Sequence, residues 1–260
     1  MLKRVAVFVY GVACYGAFFA TFLYAIGFLG NLVVPKSIDS PAQIPFLYAL
    51  GIDVLLLGIF AVQHSVMARP WFKRTWTRVV PDAAERSTYV LFSSLALIAL
   101  FAFWQPLGGT VWDIRSPVAR SLMYDLYGLG LGLVLMATFL INHFDLFGLR
   151  QVWLYLIGKP YTQLSFRTPL FYKYIRHPLY VGWLMAFWFT PTMTGAHLLF
   201  AGMTTVYILM AIRWEENDLI ESHGEQYIQY RESVPMFIPI GSTKRRVSTE
   251  VNQPAAEKAA

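Results

Sequence analysis

Two short polar clusters hold the residue types from which chemistry could be built, and an apolar stretch separates them. The first reads Tyr172-Lys173-Tyr174-Ile175-Arg176-His177-Pro178-Leu179-Tyr180; the second reads Arg213-Trp214-Glu215-Glu216. Arginine offers a forked cation that matches a carboxylate. Histidine is a donor and acceptor that can stay neutral near pH 7. Pro178 suits the first turn of a helix, where unpaired N–H groups favour anions. Carboxylates such as Glu215 and Glu216 could hold ribose hydroxyls, an ammonium or a sulfonium. The plainer reading of both clusters is a belt of charge at a membrane surface.

Other polar residues interrupt the apolar segments. Asp53 and His64 are eleven residues apart, so on a helix they share a face about 16 Å apart along the axis. Gln63 adjoins His64. Asn142, His143 and Asp145 lie near the end of a later segment, with Asn142 and Asp145 at i,i+3. Such residues either bond neighbouring helices and cap their ends, or they line a polar pocket. Ionisable groups at this depth are costly and mark function by default. His64, His143 and a carboxylate could also bind a metal, but no H-x-x-x-H spacing supports that, and no metal site is expected.

The elements that carry these residues follow from composition. Of 260 residues 57% are hydrophobic and 17% aromatic, while only 14% are charged. Soluble domains carry roughly 25% charged residues, so the chain is expected to be an all-α polytopic membrane bundle. A net charge of +6 accumulates in loops beside the spans. That pattern points to topology and anionic headgroups, with no nucleic-acid partner. Cys14 is the one cysteine, which excludes an intramolecular disulfide.

Apolar segments of bilayer length cover residues 5–34, 46–68, 87–103 and 122–147. Residues 179–214 are too long for one ordinary span, and Thr190, Pro191 and Gly195 break them, so a helical hairpin of two short arms is expected. The expectation is four spans plus a C-terminal hairpin, five to six transmembrane helices in all. Gly128, Gly130 and Gly132 should let a neighbouring helix approach closely. Arg69, Lys73, Arg74, Arg78 and Arg86 make one connection basic; Arg150, Lys159, Arg167, Lys173 and Arg176 make another. By the positive-inside rule both loops and both termini are cytoplasmic. Residues 1–147 then form an N-terminal bundle. Residues 148–240 hold a loop, the hairpin and an amphipathic cytosolic segment, and 241–260 read as a disordered tail.

The string Tyr172, Arg176-His177-Pro178, Tyr180, Gly182-Trp183, then Glu215-Glu216, Leu219, Gly224, Tyr227, Tyr230, Val234-Pro235 and Pro239 resembles the isoprenylcysteine carboxyl methyltransferase superfamily. These are membrane enzymes that use S-adenosylmethionine. The resemblance implies that His177, Pro178 and Tyr180 line a cofactor cleft with Arg176 and Tyr172, and that Glu215 and Glu216 close it from the other hairpin arm. Residues 164–170 would supply backbone contacts. They read Leu-Ser-Phe-Arg-Thr-Pro-Leu, without the histidine and glycine of the eukaryotic carboxyl methyltransferases, which argues against a prenylated substrate. The implied reaction is in-line methyl transfer to a small thiol, such as methanethiol, in a bacterial inner membrane. The implied partners are that thiol and the lipid bilayer, with no obligate protein partner.

A thiol is mostly protonated at neutral pH, so transfer needs a base or a positive field. His64, His143 and Asp145 are the candidate bases and Arg213 the candidate field, with His64 preferred. A prenylcysteine carboxylate, a phospholipid amine or another thiol remains open as acceptor. So do an NADPH-dependent sterol-type reductase and a non-catalytic membrane accessory protein.

Overall fold

The structure is a computed structural model and describes residues 1–239; the tail expected at 241–260 lies outside the described residues. Among the described residues five helices are long and apolar enough to cross a membrane: α1 (Leu2–Gly30), α2 (Phe46–Ala68), α4 (Asp82–Phe103), α5 (Pro117–Ile141) and α9 (Gly195–His223). Helices satisfy every backbone group internally, which hydrocarbon demands of a spanning segment. Shorter helices join them: α3 (Pro70–Trp76), α6 (His143–Leu146), α7 (Leu149–Leu156), α8 (Pro178–Trp188) and α10 (Glu225–Ser233). Two strands, β1 (Thr110–Asp113) and β2 (Thr192–Thr194), pair antiparallel.

The core is aromatic. Phe28, Leu100, Phe101, Trp104, Tyr127, Phe187 and Phe200 are buried together where α1, α4, α5, α8 and α9 meet. Leu55, Leu129, Phe139 and Val206 point outward and exposed, as a lipid-facing surface requires. Cys14 is buried and unbridged.

The hairpin is asymmetric, unlike the two short arms expected. Its first arm, α8, has 11 residues, or about 16 Å of rise, roughly half the hydrocarbon thickness. Its second arm, α9, has 29 residues and runs well past Glu216. Those glutamates therefore sit in the body of α9, two turns before its end, where sequence reading placed the helix terminus. The short arm is held by glycine contact. A Cβ on Gly182 would lie 2.6 Å from the carbonyl oxygen of Gly130, and one on Gly130 would lie 2.8 Å from that of Gly182. Of the three glycines expected to allow close approach, Gly130 does so; a Cβ on Gly128 or Gly132 would meet nothing.

The segment expected as one span over 122–147 breaks at Asn142, whose φ of 143° ends α5. Its side-chain oxygen then accepts from the Asp145 N–H and caps α6. The i,i+3 pair read from the sequence is thus a local cap, and His143 starts a new helix.

At one end of the bundle Asp39 gathers three donors. It accepts from Asn31 Nδ2 at 2.7 Å, from the Thr194 hydroxyl, and from His197 Nδ1 at 3.1 Å. His197 is fully buried and its Nε2 bonds the Phe187 carbonyl at 3.0 Å, tying the 31–39 loop to both hairpin arms. The opposite end carries the basic connections, and every residue of the two polar clusters lies there.

Candidate active site

Three seams converge at the basic end. The first joins the hairpin arms. Tyr180, in the first turn of α8, donates its hydroxyl to Glu215 Oε2 at 2.9 Å. One residue on, Glu216 Oε1 accepts from Arg176 Nε at 2.9 Å and bonds His177 Nε2 at 3.0 Å. Arg176 also donates to the carbonyls of Arg231 and Val234. The backbone N–H groups of Arg176 and His177 bond Pro235 and Met236. Arg176, His177 and Glu216 are therefore a latch that binds the segment after α10 to the hairpin. Glu215 is exposed and keeps its second oxygen without a partner among the described residues. The two adjacent glutamates have separate roles: one braces, the other is available.

Pro178 is fully buried beneath this turn. Tyr172, in a 3-10 turn over Leu170–Lys173, accepts the Tyr230 hydroxyl on its carbonyl at 2.6 Å. Its own phenol lies within electrostatic range of Glu215. Burial, with that carboxylate nearby, pushes the phenol above its ordinary value, so it stays a donor at any physiological pH.

The second seam joins α2 to α9. Ser65 and Tyr207 share a hydrogen bond at 2.9 Å, Arg69 pairs with Asp218 at 3.3 Å, and Arg69 lies over Trp214 at 6.0 Å. Positions 207, 214 and 218 form one stripe of α9, and 65 and 69 one stripe of α2. Among the described residues Arg69 Nε is buried with no partner. Arg213 is exposed on the far side of that stripe and makes no hydrogen bond or ion pair among the described residues.

The third seam joins α2 to α4. His64 Nε2 lies 2.8 Å from the Tyr89 hydroxyl and its Nδ1 lies 3.1 Å from Ser93 Oγ. Phe60, one turn before His64, stacks on the imidazole at 5.2 Å and meets Tyr207 edge-on at 6.3 Å. Tyr89 and Tyr207 both lie within electrostatic range of Tyr180. Phe60 thus links the second and third seams, and Tyr180 brings the first within electrostatic range of both. His64 is half-buried between α2 and α4. The Gln63 carbonyl oxygen beside it is buried without a partner among the described residues.

Asp53 is not His64's acidic partner. It is fully buried far along α2 and accepts the Gln105 N–H at 2.8 Å. His143 and Asp145 lie outside the three seams. His143 bonds Tyr15 at 2.8 Å and Thr138 at 2.9 Å, and stacks on Phe139 at 4.4 Å. Asp145 pairs with Arg150 at 2.8 Å and accepts from Tyr161 at 3.3 Å. Among the described residues no group of three or more His, Cys, Asp or Glu side chains is placed to hold a metal.

Sequence reading missed Phe60, Tyr89 and Tyr207. An available signal was spacing. Arg86, Tyr89 and Ser93 fall at i, i+3 and i+7, a polar stripe on an otherwise apolar helix.

The fold and this region define a polytopic α-helical membrane protein with a cluster of polar and aromatic side chains at one end of its bundle. No family model matches the sequence, and no solved structure does. It is 59% identical over 238 residues, 92% of this chain and 93% of the relative, to the methanethiol S-methyltransferase of Crocosphaera subtropica. It is 50% identical over 238 residues, 92% and 98% of the two chains, to that of Mycobacterium tuberculosis. Nurim of Xenopus laevis is 29% identical over 184 residues, 66% of this chain and 63% of its own. The chain belongs to the methanethiol S-methyltransferase family.

Proposed function

We propose that this protein transfers a methyl group from S-adenosylmethionine to methanethiol, giving dimethyl sulfide, with the site facing the cytoplasm of a bacterial inner membrane. The observation that carries the reading is the available carboxylate edge of Glu215, bonded to Tyr180, which lies within electrostatic range of the Tyr89 that bonds His64.

The donor set fits the methyl donor. Glu215 has an oxygen left for ribose hydroxyls or an ammonium, and Tyr172 offers a phenol beside it. The rings of Phe60, Tyr89, Tyr180 and Tyr207 present π faces that suit a sulfonium. The unpartnered Gln63 carbonyl adds an acceptor. When bound, S-adenosylmethionine supplies an electrophilic methyl on a positively charged sulfur that leaves as a neutral thioether.

The chain's own residues supply orientation and proton removal. The Tyr89 hydroxyl lies 2.8 Å from Nε2 and 3.1 Å from Nδ1 of His64, and Ser93 Oγ lies 3.1 Å from Nδ1; the mechanism uses the tautomer with the proton on Nδ1, which leaves Nε2 to accept from Tyr89. A thiol proton passes to the Tyr89 oxygen as the Tyr89 proton moves to His64, so the thiolate forms as it attacks. Glu215, Tyr172 and Tyr180 would hold the donor, whose methyl carbon would take the thiolate pair while its sulfur kept the old C–S pair. Holding the two sulfurs in line across one carbon is worth several kcal/mol in avoided entropy loss, up to about 7–11 in ideal systems. Burial of the site in the bundle strengthens each polar contact.

Arg176, His177 and Glu216 act by keeping the hairpin closed, so their part in donor binding is to shape the cleft. His143, Asp145 and Arg213 have no step in this mechanism.

Purified protein given methyl-labelled S-adenosylmethionine and methanethiol should release labelled dimethyl sulfide. Donor binding without labelled sulfide, but with label on a phospholipid amine, a prenylcysteine or a larger thiol, would move the reading to that acceptor. Absence of donor binding would remove it altogether.

A further inference from the structure

Most half-buried arginines at the basic end have an acid: Arg69 has Asp218, Arg150 has Asp145 and Arg176 has Glu216. Arg86 does not. Its guanidinium lies 5.9 Å over the Tyr89 ring, and among the described residues it makes no hydrogen bond and no ion pair. It stands one turn from Tyr89, whose hydroxyl bonds His64, and within electrostatic range of both.

Lys73, on α3, lies within electrostatic range of it. This lysine is half-buried as well and has no hydrogen bond or ion pair from its ammonium among the described residues. Burial, then the neighbouring Arg86 charge, pulls that ammonium below its ordinary value; Glu85 and Asp218 act from a distance in the opposite sense. Two like charges held together in a partly dry site repel. An anion placed between them would turn that cost into attraction, and a guanidinium matches a carboxylate with two parallel bonds.

We propose that Arg86, with Lys73 beside it, holds the carboxylate of the methyl donor's amino-acid moiety. The proposal rests on the donor reading above and extends it to a residue outside the hairpin. The donor then spans the site, with its nucleoside toward Tyr172 and Glu215, its methyl among the tyrosines and its carboxylate at Arg86. Arg86 is a positioning residue for the reacting methyl: it fixes one end of the donor, so the sulfonium cannot slide along the cleft.

The test compares two ligands in lipid nanodiscs. S-adenosylmethionine has the carboxylate; decarboxylated S-adenosylmethionine keeps the sulfonium and the amine but lacks it. Arg86→Gln should weaken binding of the first by roughly 10- to 100-fold, the usual range for a charge-assisted bond, and leave the second unchanged. Lys73→Met should give a smaller loss with the same selectivity, and Arg86→Lys should recover part of the affinity. Equal weakening of both ligands, or of neither, overturns the proposal. So does a loss that appears only in discs containing anionic lipid, which would assign the pair to a headgroup phosphate. Should Arg86→Gln not fold, the wild type decides: less than about a threefold preference for the carboxylated donor overturns it. A wild type that binds neither ligand overturns the donor reading itself.

Discussion

The Tyr180 hydroxyl reaches Glu215 Oε2 at 2.9 Å across the two arms of the hairpin, 35 residues apart in the chain. The contact leaves the other oxygen of Glu215 exposed and without a partner among the described residues, while the next residue, Glu216, is consumed by Arg176 and His177.

Glu215→Gln should therefore weaken S-adenosylmethionine binding by about tenfold or more, since a charge-assisted partner is lost. The thermal midpoint in detergent should hold. Glu216→Gln should do the reverse in emphasis, lowering unfolding stability by about 3 kcal/mol as Arg176 loses its counter-ion in a partly buried site. Isothermal titration and thermal melts on both variants read the two effects; the same phenotype from each would refute the division of roles.

His64→Ala should lower kcat/KM by about 10²-fold or more, the usual contribution of a general base, and steepen the rise of rate with pH, because thiolate would come from solution. Tyr89→Phe should act in the same direction. His143→Ala should leave turnover per folded molecule near wild type, since its nitrogens serve Tyr15 and Thr138. Loss of turnover in a well-folded His143 variant would move the base to that site.

Gly182→Ala places a methyl 2.6 Å from the Gly130 carbonyl oxygen. Overpacking of this kind costs about 1–3 kcal/mol, and here it pushes α8 away from α5. Both stability and donor affinity should fall, because Tyr180 moves with α8. Unfolding in mixed micelles, followed alongside donor binding, checks the coupling.

Acid should loosen the end of the bundle opposite the site. Burial raises the Asp39 carboxyl, but the His197 contact, Thr194 and Asn31 outweigh it, leaving the group below its ordinary 3.8. A depressed folded value contributes stability above the unfolded value and loses it as pH falls through the folded one. The wild type should therefore lose stability below about pH 4, and Asp39→Asn should be less stable at neutral pH with a flatter acid limb. Thermal midpoints between pH 3 and 7 report this; parallel curves for the two proteins would contradict it.

Much of the architecture was legible before any coordinates. Segment 46–68 has the same ends in sequence and structure, because Pro45 and Arg69-Pro70 bound an unbroken apolar run. The hairpin was visible in Pro191 and Gly195, and its two polar clusters do meet. Its asymmetry was not visible, because helix propensity continues through Glu215 to His223 while the apolar pattern stops near Trp214. The break at Asn142 was hidden for a related reason: apolarity continues to Phe147, and only a positive φ ends the helix.

Sequence alone determined that this chain lives in a membrane, because 57% hydrophobic residues arranged in bilayer-length runs have no aqueous solution. It also pointed to the chemistry, because ionisable groups at those depths are too costly to be incidental. Tertiary structure decided which of them come together. Glu215 and Glu216 are indistinguishable as letters, and so are His64 and His143; each pair is separated by partners that come from distant segments. Arg176 and His177 claim Glu216, Tyr15 and Thr138 hold His143 while Tyr89 and Ser93 hold His64, and among the described residues Arg86 touches the Tyr89 ring but has no hydrogen bond or ion pair. Hydrogen-bond capacity is finite, so a residue's availability for a ligand depends on what the fold has already bound to it.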